Sequence, residues 1–184
     1  MNWEFDVLHW FQTLHGPVMD KIALGFTMFA EKGIGWIVLI LLIFFFARDK
    51  RVGITGMGAF CLSFLLCNIL LKNMIARDRP CWVDPSVELL VEIPDDYSFP
   101  SGHTSFSFAA ATAIFQYWKG WGFLAFVLAA LIGLSRLYLF VHFPTDVLVG
   151  AVIGIVSGLL AGLLVKDFYK KYPDFRIPIL EKRS

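Results

Sequence analysis

Charged side chains are scarce in this chain: Asp, Glu, Lys and Arg make up 17% of its 184 residues, while apolar types make up 58%. A soluble domain carries about 25% charged residues, and mean hydropathy here is +0.68. The composition argues against an ordinary water-soluble globule. An excess of one charge sign is also lacking. The net charge is +1, which leaves no basic field to attract nucleic acid. Cysteine is sparse as well. Cys61, Cys67 and Cys81 are odd in number and two lie in an apolar run, which excludes a disulfide framework and fits no zinc spacing. No group of Asp, Glu and His reads as a metal cage, so neither metal nor cofactor is expected. Near Met1 no basic stretch precedes a short apolar core and a small-residue cleavage site, so no removable signal peptide is expected.

What is present in quantity is apolar sequence in long runs. Six stand out, at roughly 17–30, 33–47, 52–76, 101–118, 121–140 and 144–166. A membrane-spanning helix needs about 20 apolar residues, so the last four are long enough and the first two are short. Ahead of them, Trp3, Val7, Trp10, Phe11 and Leu14 recur at helical spacing within residues 2–15, with Glu4, Asp6 and Gln12 on other faces. That pattern fits an amphipathic helix lying in the interface, its tryptophans at headgroup depth. Gly16-Pro17 ends it. The expected fold is all-α: a single domain over 1–184, a polytopic six-transmembrane-helix bundle with an N-terminal interfacial helix.

Loop charges orient the bundle. Arg48, Lys50, Arg51 and Lys119 fall in turns on one side, with Lys166, Lys170, Lys171, Arg176, Lys182 and Arg183 in the tail. By the positive-inside rule this side is cytoplasmic. With six crossings both termini belong there. The opposite side receives the 77–100 segment, which carries Asp78, Asp84, Glu88, Glu92, Asp95 and Asp96. Leu89, Leu90, Val91 and Ile93 within that segment suggest a lid resting on the interface.

Ionisable groups near membrane depth are expensive and mark function. Here they gather at the outer ends of the third to sixth runs. Lys72 and Arg79 are seven residues apart, close to two helical turns, so one helix face is expected to carry both, with Asn68 one turn below. Taken alone they also fit basic side chains snorkelling to headgroups. Pro100-Ser101-Gly102-His103 opens the fourth run. Ser101 suits an N-cap, Gly102 allows close backbone approach, and a helix N-terminus attracts anions. His103, in the first turn, is placed to donate a proton. Ser135-Arg136 lies near the end of the fifth run, and His142-Phe143-Pro144-Thr145-Asp146 leads into the sixth. Pro144 suits the first helical position, which puts Asp146 in the first turn beside His142. A carboxylate bonded to one imidazole nitrogen leaves the other as an oriented nucleophile. Gly150, Gly154, Gly158 and Gly162 form a stripe below Asp146 that turns it into the bundle. Cations and backbone donors suit a tetrahedral phosphate, and two histidines suit attack and leaving-group protonation.

Lys72-x6-Arg79-Pro80, Pro100-Ser101-Gly102-His103 and Ser135-Arg136-x5-His142-x3-Asp146 together resemble the three-part signature of the type 2 phosphatidic acid phosphatase superfamily. Every motif position is filled, in order, within 72–146. The resemblance implies a six-helix, metal-independent membrane phosphatase. By that resemblance His142 attacks phosphorus to form a phosphohistidine, Asp146 orients His142, and His103 protonates the leaving oxygen. Lys72, Arg79, Arg136, Ser101 and Gly102 hold the phosphate oxygens. The loop charges put this site at the extracytoplasmic face of the plasma membrane, where a membrane lipid phosphate is the expected substrate. By analogy with small bacterial members, undecaprenyl diphosphate ranks first, ahead of phosphatidylglycerophosphate or phosphatidate. No obligatory protein partner is implied. A phosphotransferase, or a lipid-headgroup binding or transport protein, remains the alternative.

Overall fold

The computed structural model describes residues 3–172 and 175. Met1, Arg176, Lys182 and Arg183, named above, and the first residue of the 2–15 helix expectation lie outside the described residues. The described elements are all helical. Helix α1 covers Trp3–Gln12, α2 Pro17–Phe29 and α3 Ile34–Phe46, with a 3₁₀ turn at Glu31–Gly33 between the last two. Helix α4 (Arg51–Phe64) passes through a π-helical stretch, Leu65–Leu71, into α5 (Lys72–Ile75). Then come α6 (Pro80–Val83), α7 (Gly102–Tyr117), α8 (Lys119–Tyr138) and α9 (Pro144–Lys171). Helices thus form within all six apolar runs.

Four stretches are long and apolar enough to cross a membrane: Pro17–Phe46, Arg51–Val83, Lys119–Tyr138 and Pro144–Lys171. The protein is a multi-pass membrane protein. The first stretch is broken, however, because Lys32 and Gly33 have φ of 49° and 74° and turn the chain. Helix α2 then takes a path that hydropathy does not specify. Tyr138 donates to Asp20, Ala23 packs with Tyr138, Leu139 and Val141, and Arg136 donates to Thr27. Eight residues of α2, Asp20 to Thr27, about 10 Å of helix, meet a short stretch at the end of α8. Helix α2 therefore runs across that end of the bundle rather than through it.

Helix α3 does run through. It starts beside His103, which contacts Glu31, and ends where Lys50 donates to the Phe45 carbonyl. The passes of α3, α4–α5, α7, α8 and α9 connect two ends. At one end lie Arg51, which stacks over Tyr117, and Lys119 over Phe115. At the other lie Lys72, His103, Arg136 and His142. Helix α1 packs at this second end, where Glu4 bonds Arg77 and Thr145 and Gln12 donates to the Tyr138 carbonyl. This corrects the six-crossing expectation, which put the N-terminal helix at the end away from the site. Leu8 is fully buried and Glu4 nearly so, while Trp3 and Trp10 are exposed. The tryptophans therefore face outward and the opposite side of α1 rests on the protein.

The glycine stripe seats α9 against α7. A Cβ on Gly154 would lie 2.4 Å from the Ser105 carbonyl oxygen and 2.9 Å from the Ala109 nitrogen, both backbone atoms that cannot move aside. Polar contacts continue the seam, with Gln116 donating to the Gly158 carbonyl. Gly154→Val is expected to lower the melting temperature in detergent, consistent with an overpacking cost of about 1–3 kcal/mol. Gly58→Ala, whose Cβ would make an ordinary 3.6 Å contact with Ala161, is expected to leave it within a few degrees.

Candidate active site

The turn between α8 and α9 holds His142, and Pro144 at the first position of α9 puts Asp146 in the first helical turn. Both side chains are buried. The imidazole Nδ1 lies 3.5 Å from Asp146 Oδ2, and Nε2 lies 3.3 Å from Arg79 Nη1. Asp146 Oδ2 also accepts from the Phe143 amide at 2.8 Å and from the Ser98 hydroxyl, while Oδ1 accepts from Arg77 at 2.7 Å. The carboxylate is thus fixed on both oxygens, and the imidazole stands between it and a guanidinium. Burial pushes the His142 pKa well below the ordinary histidine value, and the charges of Arg79, Arg136, Lys72 and His103 push the same way. The imidazole is therefore neutral at neutral pH.

Arg79 is not on the face of the helix that carries Lys72. Helix α5 stops at Ile75, Ala76 adopts a left-handed conformation (φ 47°), and Arg79 is extended as the residue before α6. The two cations meet through Asp96 instead. Its carboxylate accepts from Lys72 Nζ and Arg79 Nη2, and its backbone oxygen accepts from Arg79 Nε at 2.6 Å. Burial raises the Asp96 pKa, but the hydrogen bond from Lys72 and the charges of Arg79 and Lys72 outweigh it and hold it down at about 2. Asp96 is an anion at any working pH, seated where Lys72 and Arg79 converge beside His142.

Arg136 is buried and donates to Thr27, while its Nε finds no hydrogen-bond partner among the described residues. A buried, unpartnered donor is costly and fits a site that awaits an acceptor. Ser101 caps α7, accepting from Thr104, and its amide donates to the Asp146 carbonyl at 3.1 Å. That bond ties the start of α7 to the start of α9. Gly102 leaves room for Asn68, whose Oδ1 would sit 3.1 Å from an added Cβ. His103 Nε2 lies 3.4 Å from Glu31 Oε2. The structure therefore gathers Lys72, Arg79, Ser101, Gly102, His103, Arg136, His142 and Asp146 at one end of the bundle. Among the described residues no three His, Cys, Asp or Glu side chains are grouped to hold a metal ion.

Sequence reasoning missed Thr27, Glu31, Arg77, Asp96 and Ser98, whose side chains bond to this group, and Glu4, which bonds Arg77. Arg77 and Ser98 stand within three residues of a signature position, and their polarity was the available signal. Glu4 and Glu31 reach the site only through tertiary packing. In the 77–100 segment, Leu89, Leu90 and Val91 pack on buried protein clusters, while Ile93 is exposed.

Residues 54–170 match the model of the PAP2 superfamily. The chain is 35% identical over 140 residues to decaprenylphosphoryl-5-phosphoribose phosphatase of Mycobacterium tuberculosis, covering 74% of this chain and 75% of that protein. It is 30% identical over 188 residues to undecaprenyl-diphosphatase BcrC of Bacillus subtilis, covering 98% and 92%. A crystal structure of a transmembrane PAP2-type phosphatidylglycerolphosphate phosphatase from Bacillus subtilis superposes with a TM-score of 0.71 at 29% identity, covering 94% of this chain and 87% of that one. Fold, signature and relatives agree: the chain belongs to the PAP2 superfamily and is a membrane lipid phosphatase.

Proposed function

We propose that the protein hydrolyses a polyprenyl diphosphate, with undecaprenyl diphosphate ranked first, through a phosphohistidine on His142. The observation that carries the mechanism is the position of the His142 ring, with Nδ1 turned to Asp146 and Nε2 turned to the Arg79 guanidinium. In this reading Nε2 attacks the terminal phosphorus. The bond from phosphorus to the leaving oxygen breaks, and His103 gives that oxygen its proton. Water then attacks phosphorus, the P–N bond breaks, and His103 takes the proton from the water. Lys72, Arg79, Arg136, Ser101 and the Gly102 backbone hold the phosphate oxygens. Fixed cations around developing charge supply much of the rate in phosphoryl transfer. Glu31 is the anion beside this proton donor, its Oε2 3.4 Å from His103 Nε2.

The lipid choice rests on the relatives, two of which act by name on a polyprenyl-linked phosphate. Phosphatidylglycerophosphate is the second reading, favoured by the structural neighbour. Purified protein in EDTA decides between them by phosphate release from undecaprenyl diphosphate, phosphatidylglycerophosphate and phosphatidate. The proposal expects the highest kcat/KM on undecaprenyl diphosphate. A higher value on phosphatidylglycerophosphate overturns the lipid assignment.

The site faces outward in this proposal, because Lys50, Arg51, Lys119, Lys170 and Lys171 lie at or beyond the opposite ends of the passes. A cysteine placed near residue 90 is expected to react with an impermeant label from outside, and labelling only from the cytoplasm contradicts the orientation.

Asp96 holds the seat that a substrate phosphate takes. Asp96→Asn removes the competing charge and is expected to tighten inhibition by orthovanadate about 5- to 10-fold, on the scale of one net hydrogen bond. Inhibition titrations check it, and weaker vanadate binding in the variant contradicts it.

A further inference from the structure

Asp146 is fully buried, and one of its oxygens lies outside the contact with His142. A buried carboxylate needs a partner for each oxygen. That partner is Arg77, at a position that the Lys72-x6-Arg79-Pro80 part of the signature leaves open. Its Nη1 donates to Asp146 Oδ1 and to Thr145 Oγ1, both at 2.7 Å. Its Nη2 donates to Glu4 Oε2 at 2.6 Å. The planar fork thus spans two carboxylates, one on α9 and one on α1. The guanidinium carbon lies 3.9 Å from the Phe143 ring centroid, which fixes its plane from one side. Glu4 is itself anchored on the start of α9, since its Oε1 accepts from the Thr145 hydroxyl at 2.7 Å and from the Thr145 amide at 3.2 Å.

We infer that Arg77 is a positioning residue for the Asp146–His142 pair, and that Glu4 on the interfacial helix α1 holds Arg77 in place. Helix α1 is then part of the catalytic apparatus as well as a membrane contact. The geometry carries this directly. The Phe143 amide and the Ser98 hydroxyl hold Oδ2, and the Arg77 bond holds Oδ1, so the carboxylate plane is set with Oδ2 toward His142 Nδ1. Arg77 does not touch Lys72, Arg79 or Arg136 in the bonds above, so the phosphate-holding cations do not depend on it. Its loss slows phosphohistidine formation and leaves substrate binding intact. Trp3 and Trp10, exposed on the other side of α1, seat the same helix in the headgroup layer. The catalytic carboxylate is therefore braced, through two ionic contacts, by an element that rests on the membrane.

This inference rests on the phosphohistidine reading above, and its test separates the two. Phosphate release from phosphatidate in mixed micelles is measured for wild type, His142→Ala, Arg77→Ala, Arg77→Lys, Glu4→Gln and the Arg77→Ala/Glu4→Gln double variant. Arg77→Ala is expected to lower kcat about 10- to 100-fold, the range for residues that orient an active group, with KM within about twofold. Arg77→Lys recovers part of the rate, and millimolar guanidinium recovers part of it in Arg77→Ala. Glu4→Gln lowers kcat less and adds nothing in the Arg77→Ala background, because both act through one contact chain. An unchanged kcat in Arg77→Ala, a rise in KM alone, or fully additive losses in the double variant overturns the inference. If Arg77→Ala does not fold, judged by its melting temperature, Arg77→Lys and Glu4→Gln carry the test. A normal kcat in both then overturns the inference. Activity in His142→Ala instead removes the phosphohistidine reading. An inactive His142→Ala beside a normal Arg77→Ala removes only the positioning role.

Discussion

His142→Ala is expected to lose phosphate release by on the order of 10³-fold or more, the scale seen when a covalent nucleophile is removed. No neighbouring group replaces it. The imidazole is the ring that has a carboxylate at Nδ1 and a guanidinium at Nε2, and His103 is engaged by Glu31 instead. Binding should survive, since Lys72, Arg79 and Arg136 are untouched. Orthovanadate inhibition cannot be read in an inactive variant, so binding of lipid phosphate by equilibrium dialysis in detergent is the companion measurement. Loss of turnover with retained binding is the expected pair of results.

Asp146→Asn is expected to lower kcat by about 10²- to 10⁴-fold, the range known for a histidine left without its orienting carboxylate. The physical cause is local. Asp146 Oδ2 accepts from the Phe143 amide and the Ser98 hydroxyl, and Oδ1 accepts from Arg77. An asparagine amide presents a donor to one of these donor groups, and the Nδ1–H that Asp146 stabilises loses its acceptor charge. The pH profile carries a second signature. His142 attacks only as neutral imidazole, and its pKa is pushed down by burial and by Arg79, Arg136, Lys72 and His103. Activity therefore persists as pH falls through the ordinary histidine value, about 6.5, and declines only below it. Removing the Asp146 charge disfavours imidazolium further, so the acid limb of kcat/KM moves to still lower pH in the variant. A limb that moves upward contradicts the assignment of Asp146.

Periodicity and length made the helices legible, because apolar runs bounded by Gly16-Pro17, the 47–51 charges and Pro144 have few alternatives in a membrane. The local geometry of the His142–Asp146 turn was legible for the same reason: Pro144 fixes the first helical position and counts Asp146 into the first turn. The stripe from Gly150 to Gly162 correctly indicated a close neighbour, which proved to be α7. Direction was not legible. Hydropathy counts an apolar segment without telling whether it goes through the bundle or across its end, and α2 goes across. Nor was the turn at Ala76, where a left-handed conformation is adopted without a glycine to announce it. That turn separates Lys72 from Arg79 on the helix and lets Asp96 draw them together. The bracing of Asp146 was hidden for another reason. Arg77 reaches a carboxylate 69 residues away on one side and 73 on the other, and no local pattern encodes such a pairing.

The most direct test of the central claim is to trap the phosphoenzyme. Wild-type protein is incubated with ³²P-labelled lipid diphosphate in EDTA, quenched in alkali, where phosphohistidine survives and acyl phosphate does not, and digested for mass spectrometry. The account predicts label on the peptide that contains His142, with none in His142→Ala. Label on any other residue, or turnover that stops in EDTA and returns with magnesium, contradicts it.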